Sequence, residues 1–206
     1  MAWNLRLGAY GLAPAGPGAG VRLPWEDASA AARPTDTEES SMAVTASTTV
    51  PAPLDQVVVT FTDEEFIRHV THRAGATLDS VEVAGDVEAQ FAVTTVRTMA
   101  ADRLPEMARK FVGSSVQLTQ VDTYHTPDAD GIRVVRTEIS VGALPVSGSA
   151  TQTLTPQGGS TDVHVHCVVK ANIPFVGKMV AEAAEPFIGK ALSLQSQEAE
   201  AWLASR

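Results

Sequence analysis

The residues best suited to chemistry are polar side chains on strand faces that otherwise read as apolar. In the alternating stretch 87–99, Arg97 shares a face with Phe91, Val93 and Thr95. In 116–124, Gln120, Asp122 and Tyr124 share a face with Leu118. Arg97 stands near one end of its strand and Asp122 near the end of an adjacent one, which predicts a pair across the sheet. A buried charge is tolerated mainly when it is paired and hydrogen-bonded. Two roles fit such a pair. It is either a polar fitting that orients the head group of a ligand, or a strand-end ion pair with one edge in water.

Other candidates carry less. His164 and His166 lie two apart on one strand face, a spacing that suits a metal, but no partner is identifiable on a neighbouring strand. They read as exposed sheet histidines. His69, His72 and His125 fall on a helix and a turn without triad spacing. Cys167 is the single cysteine, which excludes an internal disulfide and a cysteine-based zinc site. On an apolar face its thiol keeps a raised pKa and stays inert. No nucleophile elbow, phosphate loop or dinucleotide fingerprint occurs, and Gly148 lies in a strand interior, where it reads as a bend in the sheet. No metal or cofactor is expected.

The elements that must position these residues follow from periodicity. Met42 to Val50 alternates as a first strand, stopped by Pro51-Ala52-Pro53. Helices are predicted over Leu54–Phe61 and Asp63–Ala74, the second capped at Thr62 or Asp63. Strands follow at 78–83, 87–99, 116–124, 132–141, 146–155 and 162–173, with an amphipathic helix at 101–111 ended by Gly113. Short turns between consecutive strands imply antiparallel pairing, with the helices packed on one face. That is an α+β layer.

The strand faces sort cleanly. Val163, Val165, Cys167, Val169, Ala171 and Ile173 point inward, and Asp162, His164, His166 and Lys170 outward. Val135, Thr137, Ile139 and Val141 are inward, as are Gly148, Ala150, Gln152 and Leu154. The last helix presents a polar stripe of Lys178, Glu182, Glu185, Gly189, Ser196 and Glu200, with Met179, Val180, Ala183, Phe187, Ile188, Ala191, Leu194 and Trp202 covering much of the rest. Pro186 removes one hydrogen bond within it, so a kink is expected.

Composition bounds the function. The chain has 206 residues, 44% hydrophobic and 19% charged, which is globular and allows one good core. A net charge of −9 disfavours nucleic acid, whose phosphates need clustered Lys and Arg. No apolar run is long enough for a membrane span, and the N-terminus lacks the apolar stretch of a signal peptide, so a cytoplasmic protein is expected. Residues 1–41, rich in Ala, Gly and Pro and ending in a polar run, read as a disordered extension, with Met42 an alternative start. Residues 42–206 form the domain.

The strand and helix order, the Pro-bounded first strand, and Asn172-Ile173-Pro174-Phe175-Val176-Gly177-Lys178 leading into the last helix resemble the helix-grip superfamily. This is the START, polyketide-cyclase and Bet v allergen-like (SRPBCC) group. Within it the chain is similar to a bacterial family known only as a domain of unknown function. The resemblance covers about residues 42–206 and implies a curved antiparallel sheet of about seven strands wrapped around the long C-terminal helix. It also implies a cavity between them that holds lipid, sterol or polyketide-like molecules. The helix at 101–111 departs from the usual plain hairpin and is placed to narrow or lid that cavity.

The first functional reading is therefore non-catalytic carriage or sensing of an apolar small molecule. Its lining would come from Phe91, Val93 and Arg97, from Leu118, Asp122 and Tyr124, from Val135, Ile139, Val165 and Val169, and from Met179, Ala183 and Phe187. The alternatives are a protein-interaction module with a filled core, and a cyclase or hydratase using Asp122, Tyr124 or Arg97. The oligomeric state is open. Deleting residues 1–41 is expected to leave the melting temperature almost unchanged. A drop of more than a few degrees in a thermal melt would mean that the extension packs on the domain.

Overall fold

The computed structural model describes residues 40–104, 106–110, 112–142, 144–172 and 177–205, without the side chains of 40–42, 107–108 and 177–187. The expected disordered extension lies outside these residues except for Ser40 and Ser41. Both pair with the last strand, so the first strand includes two residues ahead of the alternating stretch. The elements run β1 (Ser40–Val50), α1 (Leu54–Thr62), α2 (Glu64–Arg73), β2 (Ala76–Gly85), β3 (Phe91–Ala100), α3 (Glu106–Arg109), β4 (Ser115–Tyr124), β5 (Arg133–Val141), β6 (Val146–Gln157), β7 (Ser160–Ala171) and α4 (Gly177–Ala204). All seven strands form one antiparallel sheet in the order β1-β7-β6-β5-β4-β3-β2. Only β1 departs from sequence neighbours, so α1 and α2 carry the chain from one edge of the sheet to the other.

Local chemistry explains the helix boundaries. Pro53, with φ fixed in the range proline allows, precedes α1, and Asp63 caps α2 by accepting the Phe66 amide at 2.8 Å. Two predicted elements come out differently. The strand expected from Val87 begins only at Phe91. Asp86 accepts the Glu88 amide and its carbonyl accepts that of Ala89, which folds 87–89 into a turn and leaves Val87 half exposed. Gly85 makes that hairpin possible, since a Cβ there would lie 2.7 Å from the Gln90 carbonyl oxygen and φ is +109°. The helix expected over 101–111 is broken into a 3₁₀ turn at Ala101–Arg103 and the four-residue α3. Leu104, which precedes a proline, is extended at ψ 155°, as that position favours.

One face of the sheet is apolar and faces the helices. Along it the register sets rows: Phe91, Tyr124, Val135, Gln152 and Val165 in one, Val93, Asp122, Thr137, Ala150 and Cys167 in the next. The following rows are Thr95, Gln120, Ile139, Gly148 and Val169, then Arg97 and Leu118 with Val141. The core sits against the first of these rows, where α1, α2 and the C-terminal end of α4 cover Phe91, Val135, Leu154 and Val163. Phe66 is its centre, stacked on Phe61 and edge-on to Trp202 at centroid distances of 6.2 and 5.6 Å.

α4 packs chiefly along β1 and β7. Its inward stripe is Leu192, Ser196 and Ala199, which corrects the predicted face at two positions: Ser196 is buried and Ala191 exposed. The Ser196 hydroxyl donates to the Leu192 carbonyl one turn back, so it enters the core without an unpaired donor. Glu198 clasps α4 to α2, accepting from His69 Nε2 at 2.7 Å and Arg73 Nε at 2.8 Å, and these bonds hold its carboxyl below the usual carboxylate range. Among the described residues no helix is long and apolar enough to cross a membrane.

Phe66→Ala is expected to lower stability by about 3–5 kcal/mol, because the ring is fully enclosed and its removal opens a cavity between α2 and α4. Equilibrium denaturation in urea checks this. A loss below about 1 kcal/mol would show that the helices collapse onto the space.

Candidate functional site

The polar residues of the inner face join into one hydrogen-bonded line across four strands. Arg97 on β3 donates from Nε to Thr71 Oγ1 on α2 at 3.1 Å and from Nη1 to Gln120 Oε1 on β4 at 2.8 Å. The Gln120 amide nitrogen donates to Asp122 Oδ2 at 2.7 Å, and Thr137 on β5 donates to Asp122 Oδ1 at 2.6 Å. Gln152 on β6 then donates to Thr137 Oγ1 at 3.2 Å. Donors converge on Asp122 from both sides, and the Gln120 amide transmits the polarity of Arg97 toward it.

This differs from the predicted pair. Among the described residues Arg97 and Asp122 form no ion pair, and Gln120 stands between them. The register is the reason. Asp122 lies opposite Val93 and Arg97 opposite Leu118, four residues further along β3, or about 13 Å at strand rise. Only an intermediate side chain from the row between them can close that gap. Nor is the arrangement a solvent-edge pair, since both groups are largely enclosed.

Enclosure moves their protonation. Burial pushes the Asp122 carboxyl above the usual carboxylate range, while the bonds from Thr137 and Gln120 and the Arg97 charge pull it back. Burial likewise lowers the Arg97 pKa, and Asp122 opposes that shift. The Tyr124 phenol is raised by burial and by the Asp122 charge, against Arg133. Its ring stacks on Phe91 at 4.6 Å with only 5° between planes, and the Arg133 guanidinium sits 5.6 Å above Phe91.

The structure divides the expected lining residues. Phe91, Val93, Tyr124, Val135 and Val165 belong to the packed core, and Val169 joins Cys167, Ala150 and Ile188 in a smaller cluster. Leu118 and Ile139 are half-buried, as are Arg97, Gln120, Asp122 and Val141. Together these six form a continuous floor on β3, β4 and β5. The side chains of Met179, Ala183 and Phe187 lie outside the described residues. A small pocket of about 40 Å³, partly open to solvent, lies between β1, β6, β7, α1 and α4, lined by Gln152, Phe61 and Ser196 among others. That space suits about one water.

Several participants escaped the sequence reading. Thr71, Thr95 and Arg133 were not singled out, although Thr95 and Arg133 sit at inward positions of alternating strands and their spacing could have found them. Thr71 belongs to a helix, and nothing local marks it. A groove of about 400 Å³ on the outer face, bordered by Thr119, Glu138, Ser147, Ser149 and Lys170, was likewise unforeseen. The predicted histidines do not assemble: His164 Nδ1 meets Ser47 Oγ at 2.8 Å, Asp162 accepts instead from Thr49, and His69 bonds Glu198. Among the described residues no cluster of three or more metal-ligating side chains occurs.

Residues 45–203 match the family described as "Protein of unknown function (DUF2505)". The chain belongs to that family. No curated protein matches it in sequence. Among solved structures, an uncharacterised protein from Rhizobium leguminosarum is 13% identical with a TM-score of 0.51, over 82% of this chain and 99% of that one. Norcoclaurine synthase from Thalictrum flavum is 14% identical with a TM-score of 0.47, over 82% and 89%. The Zhui aromatase/cyclase from a Streptomyces species is 13% identical with a TM-score of 0.48, over 78% and 92%. At these identities the likeness bears on the fold alone. The fold is the α+β helix-grip arrangement anticipated from the sequence.

Since folding raises the Asp122 pKa, the native state holds its proton to higher pH than the unfolded chain, whose carboxyl titrates near about 3.9. The associated stability is present below that value and is lost as pH rises through the raised pKa. The melting temperature of the wild type relative to Asp122→Asn is therefore expected to fall as pH increases from about 4, then level off. A pH-independent difference would mean that Asp122 titrates as it does in the unfolded chain.

Proposed function

We propose that this domain binds an apolar small molecule, without transforming it, on the half-buried floor of its inner face. The observation that carries the reading is the line Arg97–Gln120–Asp122–Thr137 set beside half-buried Leu118, Ile139 and Val141. An apolar surface with a few fixed polar groups is the common composition of a small-molecule site. Binding is favoured over proton-transfer chemistry because both Asp122 oxygens already accept hydrogen bonds and the Tyr124 phenol is enclosed with a raised pKa. The ligand belongs to the lipid, sterol or polyketide-like class, and the setting is cytoplasmic.

An environment-sensitive apolar dye is expected to bind the native protein with a dissociation constant in the micromolar range, and native mass spectrometry of protein from its own host should find a retained small molecule. Leu118→Trp, which fills the floor from a half-buried position, should weaken dye binding at least about tenfold while the melting temperature changes by only a few degrees. If the native protein ignores the dye, the interior is closed and the domain is an interaction module.

A further inference from the structure

The hydrogen-bonded line has a direction, and Arg97 sets it. A guanidinium donates and cannot accept, so the Gln120 oxygen must face Arg97 and the Gln120 NH2 must face Asp122. Asp122 Oδ2 is thereby held as an acceptor whether or not the carboxyl carries a proton. A proton on this carboxyl belongs on Oδ1, the oxygen that faces Thr137. With Asp122 ionised, the Thr137 hydroxyl donates to Oδ1 at 2.6 Å and accepts from Gln152 Nε2 at 3.2 Å. With Oδ1 protonated, the carboxyl donates instead, and the Thr137 hydroxyl needs an acceptor on its other side. Gln152 stands there, and a half-turn of its amide brings its oxygen to the place of its nitrogen. Without that turn the buried Thr137 would keep an unmatched donor against the Gln152 NH2, which is costly.

Gln152 is also where the line reaches open space. It lines the pocket of about 40 Å³ between β1, β6, β7, α1 and α4, together with Thr48, Ser193 and Ser196. We infer that Asp122 is a polarity switch for this pocket: when it takes up a proton, the Thr137 hydroxyl and the Gln152 amide both reverse, and Gln152 offers the pocket an NH2 group in place of its carbonyl. A molecule the size of a water held there donates to Gln152 in one state and accepts from it in the other. The reversal needs no ligand on the floor and is independent of the binding proposed above.

The groups around Asp122 leave it as the titrating member. Arg97 on β3 favours its ionised form, against burial. Tyr124 on its own strand and Cys167, in its row on β7, are both pushed up by burial and stay neutral around neutral pH. On α2, Thr71 bonds Arg97, while His69 and Arg73 are engaged with Glu198 of α4.

The test is the side-chain amide signal of Gln152 in nitrogen–proton correlation spectra of the full chain, identified by its loss in Gln152→Leu. It is followed from pH about 4 to about 8 alongside the Asp122 carboxyl carbon, and the two are expected to shift together with one midpoint. Asp122→Asn cannot ionise and presents NH2 and oxygen where the protonated carboxyl presents O–H and oxygen. Its Gln152 signal should therefore stay at the acid limit of the wild type at every pH. In Thr137→Val the relay is cut, so Asp122 should still titrate while Gln152 no longer follows. Thr137→Ser keeps the hydroxyl and should keep the coupling. A Gln152 signal that does not move with pH, or that follows Asp122 equally in Thr137→Val, overturns the inference. Should Thr137→Val fail to fold, an Asp122→Asn signal away from the acid limit overturns it.

Discussion

A single helix is too narrow for the sheet it has to cover. Seven strands at the usual spacing span about 30 Å, whereas a helix with its side chains is about 10–12 Å across. α4 meets that constraint by packing along β1 and β7, and α1 and α2 close one end together with its last turns. Among the described residues, the inner face of β3, β4 and β5 beyond that closed end is what remains, and there the half-buried Leu118, Gln120, Ile139 and Val141 lie. A floor is therefore a consequence of architecture before it is a consequence of any residue. The residues decide what the floor can hold.

Placing a guanidinium and a carboxylate there is costly, and the structure limits the cost by geometry. Each heteroatom of Asp122 has a donor, the Gln120 amide is used at both ends, and Thr137 both donates and accepts. Such a network rigidifies when complete, because each bond fixes the orientation of the next. It also ties α2 to the sheet through Thr71, so the polar line and the packed core around Phe66 share one helix. A change in Arg97 would thus be felt in the position of α2 as well as on the floor.

How much of this was legible depends on whether the deciding contacts were local. Alternation placed Val163, Val165, Cys167 and Val169 inward and exposed His164 and His166, because period two is a property of the strand itself. Asp63 was readable as a cap for the same reason. Register was not readable, since it compares two strands whose relative offset no local pattern fixes, and a direct Arg97–Asp122 pair was the wrong consequence to draw. The polar stripe of α4 failed at Ser196 because a serine that bonds its own backbone behaves as a small core residue. Thr71 was invisible: its role depends on a partner 26 positions away on another element.

The two faces of the sheet show why residue type alone does not identify a site. The outer face carries Ser47, His164 and Asp162, the composition of a hydrolytic triad, and Ser47 does touch His164. Yet Asp162 accepts from Thr49 and leaves the histidine unoriented, and the pairs stand in water, where their electrostatics are screened. The inner face has less suggestive residues, two glutamines and three threonines around one arginine and one aspartate, but encloses them so that each unmatched donor carries a penalty.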